Sequence, residues 1–346
     1  MQKLIECVPN FSEGRDMSII DQITGEIKAV KGARLLHVDP GAATNRTVVT
    51  LVGSPHAVVE AAYRAVKKAS ELIDMAKHQG VHPRLGATDV CPLIPMIGLT
   101  EMDCIRLAEQ LGRRIGDELT IPVYLYGKAA KTPERTILAD IRRGEYESLP
   151  EKLVDPAFAP DFGPCEFNAK SGATAIGVRD FMLAYNVNLD TRDRSMAHDI
   201  ALDLRESGRL KRDINGQIVR DSDGTTVRIP GTLKFVQAAG WFIEEYGCAQ
   251  VTMNLHNYRV TGLHAVFEAV QKAAVKRGHR ATGSELVGMA PKEALLDAGE
   301  FYLRQMDNRE DQTEREIINM AISSLGLNDK SPFDPDERII EYAMGE

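Results

Sequence analysis

Two related stretches, Asn10-Phe11-Ser12-Glu13-Gly14-Arg15-Asp16 and Asn188-Leu189-Asp190-Thr191-Arg192-Asp193, decide how this chain is expected to fold. Each follows a short apolar run of strand character and precedes a segment whose apolar residues recur at helical spacing. In the first half, Asp16 is suited to cap the helix that follows. The second stretch has the same place between strand and helix, which indicates an internal repeat.

Outward from these stretches, both halves of the chain have the element order β-α-β-β-α-β. Strands are predicted in the first half at 4–8, 33–38, 46–52 and 90–94, with helices between Asp16 and Gly32 and over 56–77. Strands are predicted in the second half at 181–189, 233–241, 249–255 and 285–289, with helices through 197–204 and over 262–278. This order predicts an α+β protein, an α/β sandwich of two βαββαβ ferredoxin-like subdomains. Their mostly antiparallel or mixed sheets are expected to face each other, with the helices outside.

The element order also suggests where the chain divides. We expect an N-terminal subdomain at 1–178, a C-terminal subdomain at 179–300 and a charged helical tail at 301–346. Segment 206–229 is polar and contains Asn215-Gly216 and Asp223-Gly224, which predicts an inserted hairpin or a mobile loop.

Composition excludes several classes of protein. The formal net charge of −8 argues against nucleic acid or an anionic membrane as the main partner. The sequence has no run of about 18 apolar residues and no signal-peptide core, so neither a membrane span nor secretion is expected. The five cysteines are scattered and include no CxxC pair. This pattern is typical of a reducing cytoplasm and argues against a disulfide framework.

The stretch most suited to chemistry is Lys77-His78-Gln79-Gly80-Val81-His82-Pro83-Arg84-Leu85-Gly86-Ala87-Thr88-Asp89-Val90-Cys91-Pro92. It carries two histidines, an arginine and a carboxylate. His78 and His82 have the spacing of helix-borne zinc ligands, but Gly80 and Pro83 interrupt the helix, so no metal site is expected. A solvated surface loop is the alternative at this stage.

An acid–base site with charged anchors fits this stretch best. His82 is expected to titrate near neutrality and to take a proton from a nucleophile. Asp39 and Arg46 lie at opposite ends of one hairpin loop, and Arg46, Arg84 and Arg15 are suited to bind a carboxylate. Structural salt bridges for the arginines, and a backbone-bonded loop histidine, are equally compatible with the spacing.

The other motifs give less information about function. The chain has no GxGxxG after a strand, no GxxxxGK[ST] and no GxSxG, so a nucleotide-phosphate loop and a covalent serine nucleophile are not supported. Segment 161–174 mixes glycines, aromatic residues and one lysine. It is typical of a loop over a flat ligand and equally of an inter-domain linker.

A set of motifs distributed along nearly the whole chain resembles one known family. They are Glu6-Cys7-Val8-Pro9-Asn10-Phe11-Ser12-Glu13-Gly14, Thr44-Asn45-Arg46-Thr47-Val48, His82-Pro83-Arg84-Leu85-Gly86-Ala87, Asp89-Val90-Cys91-Pro92, Arg143-Gly144-Glu145-Tyr146, Pro160-Asp161-Phe162-Gly163-Pro164 and Ser284-Glu285-Leu286-Val287-Gly288. With these motifs the chain resembles the formiminotransferase (glutamate formimidoyltransferase) family. Segments 206–229 and 165–171 depart from the family pattern.

The resemblance implies transfer of the formimino group of N-formimino-L-glutamate to N5 of tetrahydrofolate, a step of histidine degradation and one-carbon metabolism. Tetrahydrofolate would be a co-substrate, and no metal is implied. The resemblance further implies a substrate tunnel between the subdomains and a homodimer, and the cysteine pattern predicts that this homodimer is cytoplasmic. It places the catalytic histidine on His82. Asp39 and Arg46 are hypothesised to act with it, and the expected substrate contacts are Asn10, Ser12, Asn45 and Arg84. The expected folate loop is Gly163, Pro164, Cys165, Glu166, Phe167, Asn168, Ala169, Lys170, Ser171 and Gly172.

Alternatives to this function remain at the level of sequence. A relative with the same fold could transfer a formyl group from N-formylglutamate, because an imine nitrogen and a carbonyl oxygen are nearly isosteric. A folate-binding protein without turnover is a further alternative, although it would not need His82 and Asp39. The sequence leaves open whether a separate cyclodeaminase is a partner for the step that follows.

Overall fold

The structure, a computed structural model, describes residues 3–306 and 312–345. The chain divides into two units between Asp180 and Phe181, and each unit has its own apolar core. Over the described ranges, no helix is both long enough and apolar enough to cross a membrane.

The first unit packs three long helices against a seven-stranded sheet. Its strands are β1 (Leu4–Cys7), β2 (Asn10–Phe11), β3 (Ala33–Gly41), β4 (Arg46–Gly53), β5 (Thr88–Ile97), β6 (Val123–Gly127) and β7 (Thr174–Val178). Its helices are α1 (Met17–Lys28), α2 (Pro55–Leu72), α3 (Glu101–Leu119), α4 (Leu138–Ile141) and α5 (Leu149–Lys152).

The sheet of the first unit is mixed. β3 pairs with β4, and both β1 and β2 lie between β4 and β5, all antiparallel. β7 then joins β5 and β6 in parallel. The spatial order β3-β4-β1-β5 is the ferredoxin-like order that the βαββαβ pattern predicts, and β6 and β7 extend it.

The second unit repeats this order in a four-stranded antiparallel sheet, β11-β12-β8-β13. Its strands are β8 (Leu183–Leu189), β9 (Arg209–Leu210), β10 (Arg228–Ile229), β11 (Val236–Ile243), β12 (Cys248–Leu255) and β13 (Ala281–Val287). Its helices are α6 (Arg194–Leu204), α7 (Leu263–Val275), α8 (Lys292–Gln305), α9 (Glu314–Leu325), α10 (Pro335–Arg338) and α11 (Ile340–Met344). The predicted α+β fold class is confirmed.

The related stretches that indicated the repeat have a shared structural role. The Asp16 carboxylate accepts a hydrogen bond from the Ser18 backbone N–H at 2.9 Å and caps α1. The Asp193 carboxylate does the same for α6, from the Ser195 backbone N–H at 2.8 Å. Each aspartate thus satisfies a donor that a helix start leaves unpaired.

Two predicted boundaries near the site are wrong. β3 continues through Asp39 to Gly41, so Asp39 lies on a strand and the turn begins later. The helix predicted to reach Lys77 ends at Leu72, because Ile73 has extended backbone angles. Residues 73–87 therefore form a loop, and the turn before β4 contains Asn45 at a φ of +47°.

Segment 206–229 forms hydrogen-bonded turns. β9 and β10 pair, and the Asp213 and Asp221 carboxylates each accept two backbone N–H groups. Beyond residue 300, α8 contributes Tyr302 and α9 contributes Ile318 and Leu325 to the second unit's core.

Two helical glycines of the first unit give a matched test of this packing. A Cβ added to Gly116 of α3 would lie 2.4 Å from the backbone nitrogen of Gly163, whereas one added to Gly25 of α1 meets nothing within 4 Å. Gly25→Ala should stabilise the unit by about 0.5–1 kcal/mol through helix propensity. Gly116→Ala should destabilise it by about 1–3 kcal/mol through overpacking. Urea unfolding of both variants measures the difference, and equal shifts would contradict this packing.

Candidate active site

A buried aspartate, Asp89, is the centre of the candidate site. Its side chain is fully buried, and it accepts hydrogen bonds from Nη1 of Arg46 and from Nε and Nη2 of Arg142, the Nε contact at 3.2 Å. The backbone N–H of Leu85 also donates to it, at 2.8 Å. One carboxylate therefore fixes two guanidinium groups and the end of the 73–87 loop.

The sheet brings these groups together. Arg46 opens β4 and Asp89 lies near the start of β5, and β2 pairs with both strands. Asn10 of β2 accepts a hydrogen bond from Nε of Arg46 at 3.0 Å. Arg142 reaches the same place from the segment that follows α4.

The cluster carries excess positive charge. Burial by itself would raise the pKa of Asp89, but the charges of Arg142 and Arg46 outweigh it and hold the pKa of that carboxyl well below its usual range. Asp89 is therefore ionised at neutral pH, and one negative charge faces two guanidinium groups. The local charge is opposite in sign to the net charge of the chain and suits an anionic ligand.

His82 lies beside this cluster. Its Nδ1–H donates to the Pro83 carbonyl at 2.7 Å. Because a carbonyl only accepts, Nδ1 holds the proton, and Nε2 bears the lone pair of the neutral ring. Burial, followed by the charges of Arg46 and Arg142, lowers the pKa of His82 to about 3. The expectation of titration near neutrality is wrong for the substrate-free protein, and the ring is neutral at pH 7.

The ring of His78 forms two structural hydrogen bonds. Its Nε2–H donates to the Asn45 carbonyl at 2.8 Å, and its Nδ1 accepts from Nε of Arg84 at 3.3 Å. Burial lowers the pKa of His78, so the neutral ring links the β3–β4 turn to Arg84. Over residues 3–306 and 312–345, no group of three or more His, Cys, Asp or Glu side chains is placed to hold a metal ion.

Arg84 is already paired. Its Nη1 and Nη2 donate to the two carboxylate oxygens of Glu147 at 2.7 and 2.6 Å, and Nη1 also donates to Glu145 at 2.9 Å. A substrate carboxylate would have to displace Glu147 to reach it. The substrate contact expected of Arg84 stays a prediction.

The other expected substrate residues hold the loops of the site in place. Ser12 Oγ–H donates to the Gly86 carbonyl at 2.7 Å. The Asn45 side chain accepts from the Gly14 N–H and donates to the Gln79 carbonyl, both at 3.0 Å. Both side chains are buried. Of the four expected substrate residues, the structure thus brings Asn10 directly against Arg46.

Asp39 is half-buried on β3, an edge strand of the sheet. Its backbone lies opposite Val48 of β4, and Gly41 lies opposite Arg46. Because opposed residues of antiparallel strands share a face, Asp39 and Arg46 project from the same face of the sheet.

The expected folate loop, 163–172, joins two parts of the first unit. Near its start, Gly163 lies against Gly116 of α3 with a φ of +81°. At its end, Gly172 forms an isolated β-bridge with Gly86. The loop therefore ends beside the segment that carries His82.

The middle of this loop is the exposed part. The ring of Phe167 is 36% exposed and lies 5.3 Å from the ring of Tyr146, whose hydroxyl donates to the Ala169 carbonyl at 2.6 Å. Lys170 Nζ donates to the Glu71 carbonyl at 2.6 Å. Cys165 and Glu166 are exposed, Pro164 and Asn168 are half-buried, and Ser171 is buried.

No role was predicted for Asp89 or Arg142 from the sequence. Asp89 lies inside the stretch singled out for chemistry, and a carboxylate among apolar strand residues was the available signal. Arg142 directly precedes the motif Arg143-Gly144-Glu145-Tyr146 but lies in an irregular region. Nothing in its spacing connects it to Asp89.

Two family models match the chain. Residues 4–179 match the model described as "Formiminotransferase domain, N-terminal subdomain". Residues 184–345 match the model described as "Formiminotransferase domain". The first match includes every residue of the candidate site.

Several curated relatives are similar over most of the chain. Formimidoyltransferase-cyclodeaminase of Mus musculus is 48% identical over 344 residues, which cover 99% of this chain and 60% of that protein. Glutamate formimidoyltransferase of Streptococcus pyogenes serotype M1 is 41% identical, covering 89% of this chain and 95% of that protein. The enzyme of the same name from Thermoplasma acidophilum is 40% identical, covering 87% and 92%. This chain thus spans about three fifths of the bifunctional mouse relative.

Replacing Asp89 tests the charge cluster. Asp89→Asn leaves two buried guanidinium groups uncompensated and should cost about 3–5 kcal/mol of unfolding free energy at pH 7. Because the folded-state pKa lies below the unfolded value, the wild-type stabilisation is present above about pH 4 and is lost as pH falls toward the folded pKa. The difference in unfolding free energy between wild type and Asp89→Asn should therefore narrow below about pH 4.

Urea unfolding of both proteins across this pH range measures the gap. The control is Asp140→Asn, at a carboxylate that is 42% exposed and pairs with Arg143. It should change stability by no more than about 0.5 kcal/mol. A pH-independent gap for Asp89→Asn would contradict the assigned charge state.

Proposed function

This chain belongs to the formiminotransferase family, and we propose that it transfers the formimino group of N-formimino-L-glutamate to N5 of tetrahydrofolate, which gives 5-formiminotetrahydrofolate and L-glutamate. The observation that carries the proposal is a neutral imidazole beside a cationic cluster within this family's domain. The glutamate formimidoyltransferases of Streptococcus pyogenes and Thermoplasma acidophilum support it, because the match covers 95% and 92% of their lengths.

His82 is the proposed general base. N5 of the pterin attacks the formimino carbon, and Nε2 of His82 removes the N5 proton as the tetrahedral intermediate forms. The imidazolium then returns that proton to the glutamate nitrogen, the carbon–nitrogen bond breaks and L-glutamate leaves. The hydrogen bond from Nδ1–H to Pro83 supports this role, because it leaves the lone pair on Nε2.

The substrate itself would adjust the base. In the substrate-free protein, burial and the charges of Arg46 and Arg142 make the imidazolium unfavourable. A bound substrate carboxylate offsets those charges, so the pKa of His82 rises when the donor is in place. Proton transfer then becomes favourable at the step that requires it.

Arg46 is the proposed ligand of a glutamate carboxylate, and Asp39 is proposed to hydrogen-bond the cationic formimino nitrogen. The shared face of Asp39 and Arg46 supports this pairing, because one substrate can then meet an anion and a cation.

The folate is proposed to lie on loop 163–172, with Lys170 near its glutamate tail. The bridge between Gly172 and Gly86 supports this, since it places the loop next to the His82 segment. Displacing the contact of Lys170 with the Glu71 carbonyl would free its ammonium group. The proposal includes a cytoplasmic homodimer and a separate cyclodeaminase for the next step.

A steady-state assay with two donors tests the reaction. N-formimino-L-glutamate should be used with a kcat/KM at least about 10-fold above that of N-formyl-L-glutamate, because its cationic nitrogen pairs with Asp39 whereas a formyl oxygen does not. Asp39→Asn should reduce this preference. A higher kcat/KM for the formyl donor would instead indicate a formyltransferase, and no turnover of either donor would refute the proposal.

Replacing His82 tests the base. His82→Ala should lower kcat by about 10²–10⁴-fold, the usual contribution of a positioned general base, with an unchanged circular dichroism spectrum. The matched control is His56→Ala, at an exposed position of α2, which should keep wild-type turnover. Near-normal turnover of the His82 variant would remove it from the mechanism.

A further inference from the structure

A second arginine, Arg142, presents an open donor at the candidate site. Within the described residues, Nη1 of Arg142 and Nη2 of Arg46 donate no hydrogen bond, and neither is among the atoms buried without a partner. We propose that Arg142 binds one carboxylate of the glutamate moiety while Arg46 binds the other, with Asp89 as their shared anchor. This inference rests on the proposed function and assigns its substrate specificity.

The donor sets of the two arginines fit this division. Arg142 uses Nε and Nη2 on Asp89, which leaves Nη1 for a ligand. Arg46 uses Nε on Asn10 and Nη1 on Asp89, which leaves Nη2. Because one carboxylate holds both groups, their open nitrogens are fixed relative to each other, and little ordering entropy is lost when a ligand binds.

Neighbouring arginines do not offer the same chemistry. The Arg84 guanidinium is occupied by Glu147 and Glu145. Arg143 is 80% exposed and pairs with Asp140 at the surface. Arg142, with a side chain only 14% exposed, is held rigidly and still reaches the site.

Charge supports a doubly anionic ligand. Asp89 neutralises one of the two guanidinium groups, so the cluster retains a net positive charge in a largely buried setting. A ligand with one carboxylate would leave one open donor unpaired. A ligand with two carboxylates satisfies both, which favours the glutamate moiety over its amides.

Equilibrium binding of the product and its amides, without folate, tests the assignment. We expect Arg142→Gln to weaken L-glutamate binding by about 10- to 100-fold, the loss of a charge-assisted hydrogen bond. L-glutamine and L-isoglutamine each lack one of the two carboxylates of L-glutamate. The amide that lacks the carboxylate bound by Arg142 should bind to the variant and to wild type with the same affinity. Arg143→Gln is the matched control and should bind all three ligands as wild type does.

Other results would overturn the inference. Equal weakening of all three ligands would make Arg142 only a positioning residue that acts through Asp89. Unchanged glutamate affinity in the variant, or no glutamate binding to wild type, would also refute the assignment. If Arg142→Gln does not fold, Arg142→Lys is used in the same binding test, because lysine keeps a cation beside Asp89 but lacks the second donor nitrogen.

Turnover of the wild type, measured in parallel, separates this inference from the proposed function. If the wild type turns over its substrate and the variant binds L-glutamate with unchanged affinity, only the role of Arg142 is refuted and the proposed reaction stands. Absence of wild-type turnover refutes the transferase, whereas the binding data still decide whether Arg142 holds a carboxylate.

Discussion

The buried carboxylate of Asp89 is the interaction on which the geometry of the candidate site depends. A fully buried charge is tolerated only when it is paired, and Arg46 and Arg142 pair it from two sides. The two guanidinium groups would in turn repel each other without it. Since Leu85 also donates its N–H to the same carboxylate, one side chain fixes the cationic cluster and the loop bearing His82.

The sheet makes this convergence possible. Both β1 and β2 lie between β4 and β5, and the chain between them passes through Pro9. The interruption lets Asn10 reach Arg46 while Ser12 continues to the Gly86 carbonyl. Segment 8–12 therefore supports the site. Its polar residues act mainly by positioning the groups that would contact the substrate.

The sequence predicts the fold well because its signals are local. Asp16 and Asp193 each cap a helix that follows a strand, and that arrangement needs only neighbouring residues. Element boundaries that depend on tertiary contacts could not be predicted from neighbouring residues alone. Asp39 is an example, because pairing with β4 extends β3 beyond the predicted end of that strand. The site follows the same rule. His82 stands in a motif of recognisable composition, whereas Arg142 joins Asp89 from a distant irregular segment whose position only the folded chain determines.

The low pKa of His82 is compatible with a catalytic base. A histidine that stays neutral beside two arginines is unprotonated at physiological pH, so the proposed base would not be lost to its protonated form. Its weakness as a base in the substrate-free protein comes partly from Arg46 and Arg142, the groups suited to bind an anion. In the proposed reaction, an anionic donor would remove part of that weakness by binding, which would couple recognition of the glutamate moiety to proton transfer. In the proposed mechanism, a donor without carboxylates would bind poorly and would also leave His82 a poor base, so specificity and rate would arise from the same charges.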